Sequence, residues 1–139
     1  MIGLPVWILW VHILSAAIWI GGAAGQLENL RGAYTTDAGR RLHFLTSRAM
    51  EILVLTGMLN IIVRAVAFNA SFSAGFFAML SIKVALFVVM AGLQIWMGLG
   101  WRQPEGPGRF PLSRLRTCLI LQLVAGAIAV LLGLGVHAA

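Results

Sequence analysis

The chain has 139 residues, of which 60% are hydrophobic and only 10% charged, with a formal net charge of +6. Soluble domains carry roughly 25% charged residues, and one domain of this length could not hide so much apolar surface from water, so a lipid-solvated fold is expected. The positive balance is no nucleic-acid signal, because the longest basic run is the pair Arg40-Arg41 and the cations sit at the edges of apolar stretches, where phospholipid headgroups lie.

Four apolar segments follow in chain order, at about 4–25, 49–68, 75–101 and 115–136. Each reaches the ~20 residues that a helix needs to cross a ~30 Å hydrocarbon core. The expected fold class is all-α, an integral membrane four-helix bundle forming a single domain over 1–139. The opening MIGLPVWILW has no Lys or Arg and its apolar run is long enough to span, so it reads as a retained helix rather than a cleaved signal.

The first segment carries His12 about eight residues in, and at 100° per residue its face also holds Ser15, Ala16, Trp19, Ala23 and Gln26. This small, polar face suits packing a flat group beside an imidazole, and a neutral imidazole is a common axial ligand for haem iron. A histidine bonded to a neighbouring helix is the competing reading, and His12 taken alone favours it. Ala17, Gly21 and Gly25 form a small-residue stripe, as Ala125, Ala129 and Gly133 do in the fourth segment, and such stripes let helices approach closely in lipid.

The second segment has a polar helical lead-in from Asp37 and carries Asn60 and Arg64 on one side, with Glu51 on the other, where it is expected to pair with Arg48. The third holds Lys83, about eight residues in and roughly 12 Å deep, too far for easy snorkelling and so in need of a partner. His12 and Lys83 then share a depth. Gln94 lies on the Lys83 face, in a stripe with Phe87, Met90, Met97 and Trp101. In the fourth, Gln122 lines up with Cys118, Gly126, Ala129 and Gly133, and an interhelical hydrogen bond is its expected role. Cys118, the only cysteine, reads as a buried thiol. His43 and His137 read as interfacial residues. The sequence holds no phosphate loop, nucleophile elbow or His/Cys metal spacing.

The connections differ in charge. Arg31, Arg40, Arg41 and Arg48 flank the first, and Arg102, Arg109, Arg114 and Arg116 the third, while the second, 69–74, carries none. The positive-inside rule puts the first and third in the cytoplasm and both termini outside.

These residues carry a resemblance. VHILSAAIWIGGAAG resembles the first helix of the CopD-like and HemJ-like four-helix membrane proteins, in which a His is followed by a Trp, an apolar residue and Gly, here His12, Trp19, Gly21 and Gly22. RRLHFLTSRAMEILVLTGMLNI resembles their second helix, with Thr56-Gly57 at the family's Thr-Gly, and SIKVALFVVMAGLQIWMGLGWR their third, with Lys83 at the family lysine. The resemblance covers most of the chain. It implies a b-type haem or related tetrapyrrole near His12 and Lys83, protoporphyrinogen oxidation in one branch and copper uptake in the other. Gln94 stands where the HemJ-like branch has a second histidine, and an amide is a poor haem ligand, so the superfamily rather than either branch is expected.

The combined expectation is a small bacterial inner-membrane protein, N-out and C-out, binding haem b for a redox or tetrapyrrole-handling role. His12 is the expected metal ligand, and His12, Trp19, Lys83 and Gln94 are the expected cofactor-binding set. The bilayer is the expected surrounding, with a membrane redox partner or a further copy of the chain and no nucleic acid. The alternative is a cofactor-free membrane protein for copper uptake, or a small structural subunit of a larger membrane complex.

Overall fold

The computed structural model describes residues 6–31, 36–67, 73–101 and 112–138. They form four helices, α1 (Val6–Arg31), α2 (Thr36–Ala67), α3 (Ala74–Trp101) and α4 (Leu112–Ala138). Each contains a stretch long and apolar enough to cross a membrane.

The helices reach further at their polar ends than the apolar segments do. α1 continues past Gly25 through QLENLR to Arg31, because Gln, Leu, Glu and Arg are good helix formers. Arg31 in the last turn also complements the negative helix end and contacts Glu28 at 3.0 Å. The lead-in of α2 is continuous with its apolar part, and Asp37 in the first turn stabilises its positive start. At the start of α3 the Ser73 hydroxyl accepts the Phe76 N–H at 3.2 Å, capping one of the otherwise unpaired first-turn donors.

Cross-helix pairs fix the directions. On α1 and α2, His12 meets Thr56, Gly22 meets Thr46 and Gly25 meets Leu42, so one number rises as the other falls. The same opposition holds between α2 and α3, where Ser47 meets Gln94 and His43 meets Gly98. It holds again between α3 and α4, where Lys83 meets Gly133 and Gln94 meets Gln122. The bundle is therefore up-down-up-down. One end, here the hairpin end, carries the α1–α2 and α3–α4 connections. The other, the terminal end, carries both chain termini. α1 packs chiefly on α2 and α3 on α4, α1 and α4 close the bundle, and of these neighbouring pairs α2 and α3 touch least.

Hydrophobicity does not decide which face is buried. Trp7, Trp10, Val66, Val88, Ile95 and Leu131 are all more than 60% exposed, whereas Ser15, Gln26, Thr46, Thr56, Gln94 and Gln122 are buried. Polar groups inside and apolar groups outside is the arrangement a lipid solvent rewards, since buried polar atoms find partners only within the bundle. Two apolar clusters complete the interior. Trp19, Ala49, Met50, Leu53, Met90 and Ala125 form one, and Ala23, Met97, Leu115, Cys118 and Leu119 the other.

The small-residue stripes follow the sequence expectation only in part: Gly25 packs on Leu42, Ala125 is buried and Gly133 meets Lys83. A Cβ on Gly21 would meet nothing within 4 Å, and Ala17 is exposed. The close approaches are made by neighbours one residue on. A Cβ on Gly22 would lie 2.5 Å from Thr46 Cγ2, and one on Gly126 would lie 2.6 Å from Trp19 Cζ3. Four-residue spacing alone does not say which stripe of an all-apolar helix faces its partner.

Candidate functional site

His12 sits on α1 against α2. Its Nδ1 lies 2.8 Å from Thr56 Oγ1. Thr56 has one hydroxyl hydrogen, and it donates to the Ile52 carbonyl at 2.7 Å, the usual back-bond of a helical threonine. The Thr56 oxygen therefore accepts from His12, which places the imidazole proton on Nδ1 and the free lone pair on Nε2. A Cβ on Gly57 would stand 3.7 Å from His12 Cε1, an ordinary van der Waals contact, so Gly57 is beside the ring without being required for its approach. Of the Thr-Gly pair it is Thr56 that serves His12, through its hydrogen bond.

Lys83 extends from α3 toward α4. A Cβ on Gly133 would be 3.1 Å from the Lys83 ammonium nitrogen, so the glycine leaves room for the charged head. Lys83 lies within electrostatic reach of His12 and of Arg64. None of the described residues forms an ion pair with it. Asn60, one turn before Arg64 on α2, has its Oδ1 buried without a hydrogen-bond partner. His12 and Lys83 lie at one level in the terminal half of the bundle, within electrostatic reach of each other.

Trp19 is 2% exposed and lies at the centre, its ring seated on Gly126. It is two turns from His12, roughly 10 Å along α1. Its Nε1–H is buried without a partner among the described residues.

Gln94 belongs to a second polar cluster, eleven residues and roughly 16 Å along α3 from Lys83. Its Nε2 donates to Thr46 Oγ1 at 2.8 Å and to Ser47 Oγ at 3.0 Å. Its Oε1 accepts from Gln122 Nε2 at 2.9 Å. Both hydroxyls spend their own hydrogens on the His43 carbonyl, at 2.9 Å each, so they can only accept from Gln94, and this fixes which way the amide points. Gln26 Nε2 also donates to Thr46 Oγ1, at 3.2 Å, and Gln122 Nε2 donates to the Met90 carbonyl at 3.2 Å. One side chain from every helix is joined through Gln94 and Thr46. Among the described residues Gln26 Oε1 in this cluster is buried without a hydrogen-bond partner.

The four expected cofactor residues therefore lie on three levels, with His12 and Lys83 together, Trp19 in the apolar centre and Gln94 in the hairpin half. Gln122 does make the interhelical hydrogen bond expected of it. Glu51 does pair with Arg48, at 2.6 Å, although both are well exposed and such a pair contributes little. Thr46 and Ser47 were not singled out from the sequence, and Thr56 was named only as part of the Thr-Gly pair, with no role toward His12. Only their place beside His43 and at the Thr-Gly pair marks them, and hydroxyls in helices ordinarily bond to their own backbone. His43, read as interfacial, touches both Gly98 and the Gln94 cluster. The side chains of Trp101 and His137 lie outside the described residues, as do Arg102 and Arg109 and most of the 69–74 connection.

Among the described residues no group of three or more His, Cys, Asp or Glu side chains is arranged to hold a metal ion. No protein-family model, curated protein or solved structure matches the chain.

Proposed function

We propose that the chain is an integral protein of the bacterial inner membrane that binds a b-type haem or related tetrapyrrole through His12, in a redox or tetrapyrrole-handling role. The observation that carries this reading is the bond from His12 Nδ1 to Thr56 Oγ1, which is also the interhelical bond of the competing reading, so that it is the Nε2 left over that supports a ligand role. Haem-ligating and metal-ligating histidines present one nitrogen to the metal while the other donates to a fixed acceptor, which sets the tautomer and orients the ring. The polar character of His12 and Lys83 fits a haem, with an imidazole for iron and an ammonium for a propionate. Gln94 does not fit as a ligand, because its amide oxygen and nitrogen are both engaged within the protein. A bound haem supplies one-electron chemistry at its iron, with the potential set by axial ligand and surroundings.

Membrane insertion is supported by four apolar helices with polar interiors and apolar exteriors. Orientation is supported by charge: Arg31, Arg40, Arg41, Arg48, Arg114 and Arg116 cluster toward the hairpin end, which the positive-inside rule assigns to the cytoplasm. The resemblance to CopD-like and HemJ-like proteins at His12, Thr56-Gly57 and Lys83 belongs to the same proposal.

The deciding experiment is an absorption spectrum of the purified protein, oxidised and reduced, with pyridine-haemochrome analysis. A Soret band that disappears in His12→Ala, with the protein still inserted, supports the reading. A colourless wild-type protein purified from haem-replete cells overturns it. A second reading, a cofactor-free bundle serving as a small membrane subunit, is favoured by the Gln94 cluster, which ties all four helices without any ligand.

A further inference from the structure

At the hairpin end a groove of about 230 Å³ opens between α3 and α4, lined by Trp96, Ser113, Arg114, Thr117 and Cys118. Its walls are mainly apolar, and its polar end is the first turn of α4. That turn contains no acidic residue. It instead carries Arg114, with Arg116 close behind, both exposed. A helix start already bears a partial positive charge and unpaired N–H groups, so cations there are unfavourable without an anion nearby. Two other exposed arginines at this end have carboxylates, Arg31 with Glu28 and Arg48 with Glu51. Among the described residues Arg114 and Arg116 have none.

We propose that this groove is a binding site for an anionic phospholipid, whose phosphate lies against Arg114 and the first turn of α4 and whose acyl chain runs along Trp96 and Cys118. The shape and the charge each ask for half of such a molecule: the apolar walls match an acyl chain, and the exposed Arg114 at a helix start matches a phosphate. The site adds to the membrane reading and depends on it, and it is independent of haem. Thr117 donates its hydroxyl hydrogen to the Ser113 carbonyl at 2.9 Å, leaving its outer surface to line the groove rather than to compete for the phosphate.

The test is native mass spectrometry of the intact protein in detergent, titrated with dioleoyl phosphatidylglycerol or dioleoyl phosphatidylcholine. The wild type is expected to retain phosphatidylglycerol in preference to phosphatidylcholine, and Arg114→Gln is expected to lower that preference about fivefold, the scale of one basic side chain at an anionic surface. Thr117→Trp, which fills the groove from an exposed position, is expected to reduce adducts of both lipids. Arg48→Gln, at an arginine with its own carboxylate, is expected to leave the preference unchanged. Equal retention of the two lipids by the wild type overturns the proposal. So does an unchanged preference in Arg114→Gln, or an equal loss in Arg48→Gln, which would mean a general basic edge rather than a site. Retention in alkaline carbonate-washed membranes reads insertion separately, so failure of the membrane reading is distinguishable from failure of the groove.

Discussion

His12 and Thr56 set each other's hydrogens: the threonine gives its only proton to the Ile52 carbonyl, and the histidine must then donate through Nδ1. This couples α1 to α2 at the level of the candidate site and exposes Nε2 as the free lone pair. Thr56→Val keeps the shape of the side chain and removes the acceptor. The half-buried imidazole N–H then loses its partner, which costs ~1 kcal/mol. Thermal unfolding in detergent is expected to fall accordingly. If His12 holds iron, haem retention is expected to drop about 10–100-fold, as for other lost outer-shell partners. Thr56→Ser, which keeps the acceptor, is expected to restore both. Equal behaviour of Val and Ser at this position would remove the hydrogen bond from the argument.

Adjacent glycines are expected to respond oppositely. Gly21→Leu points into open space and is expected to leave stability within about 0.5 kcal/mol of wild type. Gly22→Leu drives a side chain into Thr46, and Gly126→Leu drives one into the Trp19 ring, so each is expected to cost ~1–3 kcal/mol or more. Thermal melts of the three variants check the packing directly. A destabilised Gly21→Leu with an intact Gly22→Leu would mean that α1 is rotated relative to the geometry described above.

Gln94 separates the packing role from the ligand role. Gln94→Leu leaves Thr46, Ser47 and Gln122 each short of a partner and is expected to destabilise the bundle by ~1–3 kcal/mol. Gln94→His places an imidazole where the resemblance puts a ligand, but in the cluster roughly 16 Å along α3 from Lys83. Its absorption spectrum is expected to match wild type. A new low-spin bis-histidine spectrum in that variant would show that residues 12 and 94 address the same haem.

Much of this architecture is legible in the sequence, for definite reasons. Length and apolar composition specify four long helices, and the rarity of polar residues makes Ser15, Gln26, Gln94 and Gln122 natural interior positions. His12 and Lys83 share a level because α1 and α3 run parallel from the same end, so similar counts from their starts reach similar depths. The partners are not legible. Nothing in the spacing says that Thr56 bonds to His12, because that requires the register between α1 and α2. The separation of Gln94 from His12 was obscured by its sharing a face with Lys83: a common face does not mean a common depth. Four-residue spacing points to Gly21, whereas the polar face of Ser15, Trp19 and Gln26, which is the buried one, turns its neighbour Gly22 inward.

Lys83 and Gly133 supply the last prediction. The ammonium nitrogen would stand 3.1 Å from a Cβ at residue 133, tighter than ordinary van der Waals contact. Gly133→Ala therefore moves the charged head by a few tenths of an ångström, and Gly133→Leu displaces it from α4. Lys83→Met keeps an apolar stem of similar reach and removes the charge. If Lys83 acts on a propionate, Gly133→Leu and Lys83→Met are expected to shift the haem spectrum or weaken haem retention in the same direction, while both proteins still insert. The double variant is expected to be no worse for haem than Lys83→Met alone, because the glycine acts through the ammonium. If Gly133 serves helix packing alone, the two effects add, and Gly133→Leu lowers thermal stability equally with Lys or Met at position 83. A double-mutant cycle read in both haem retention and melting temperature distinguishes these outcomes, because residues that act through one contact are non-additive and independent ones add.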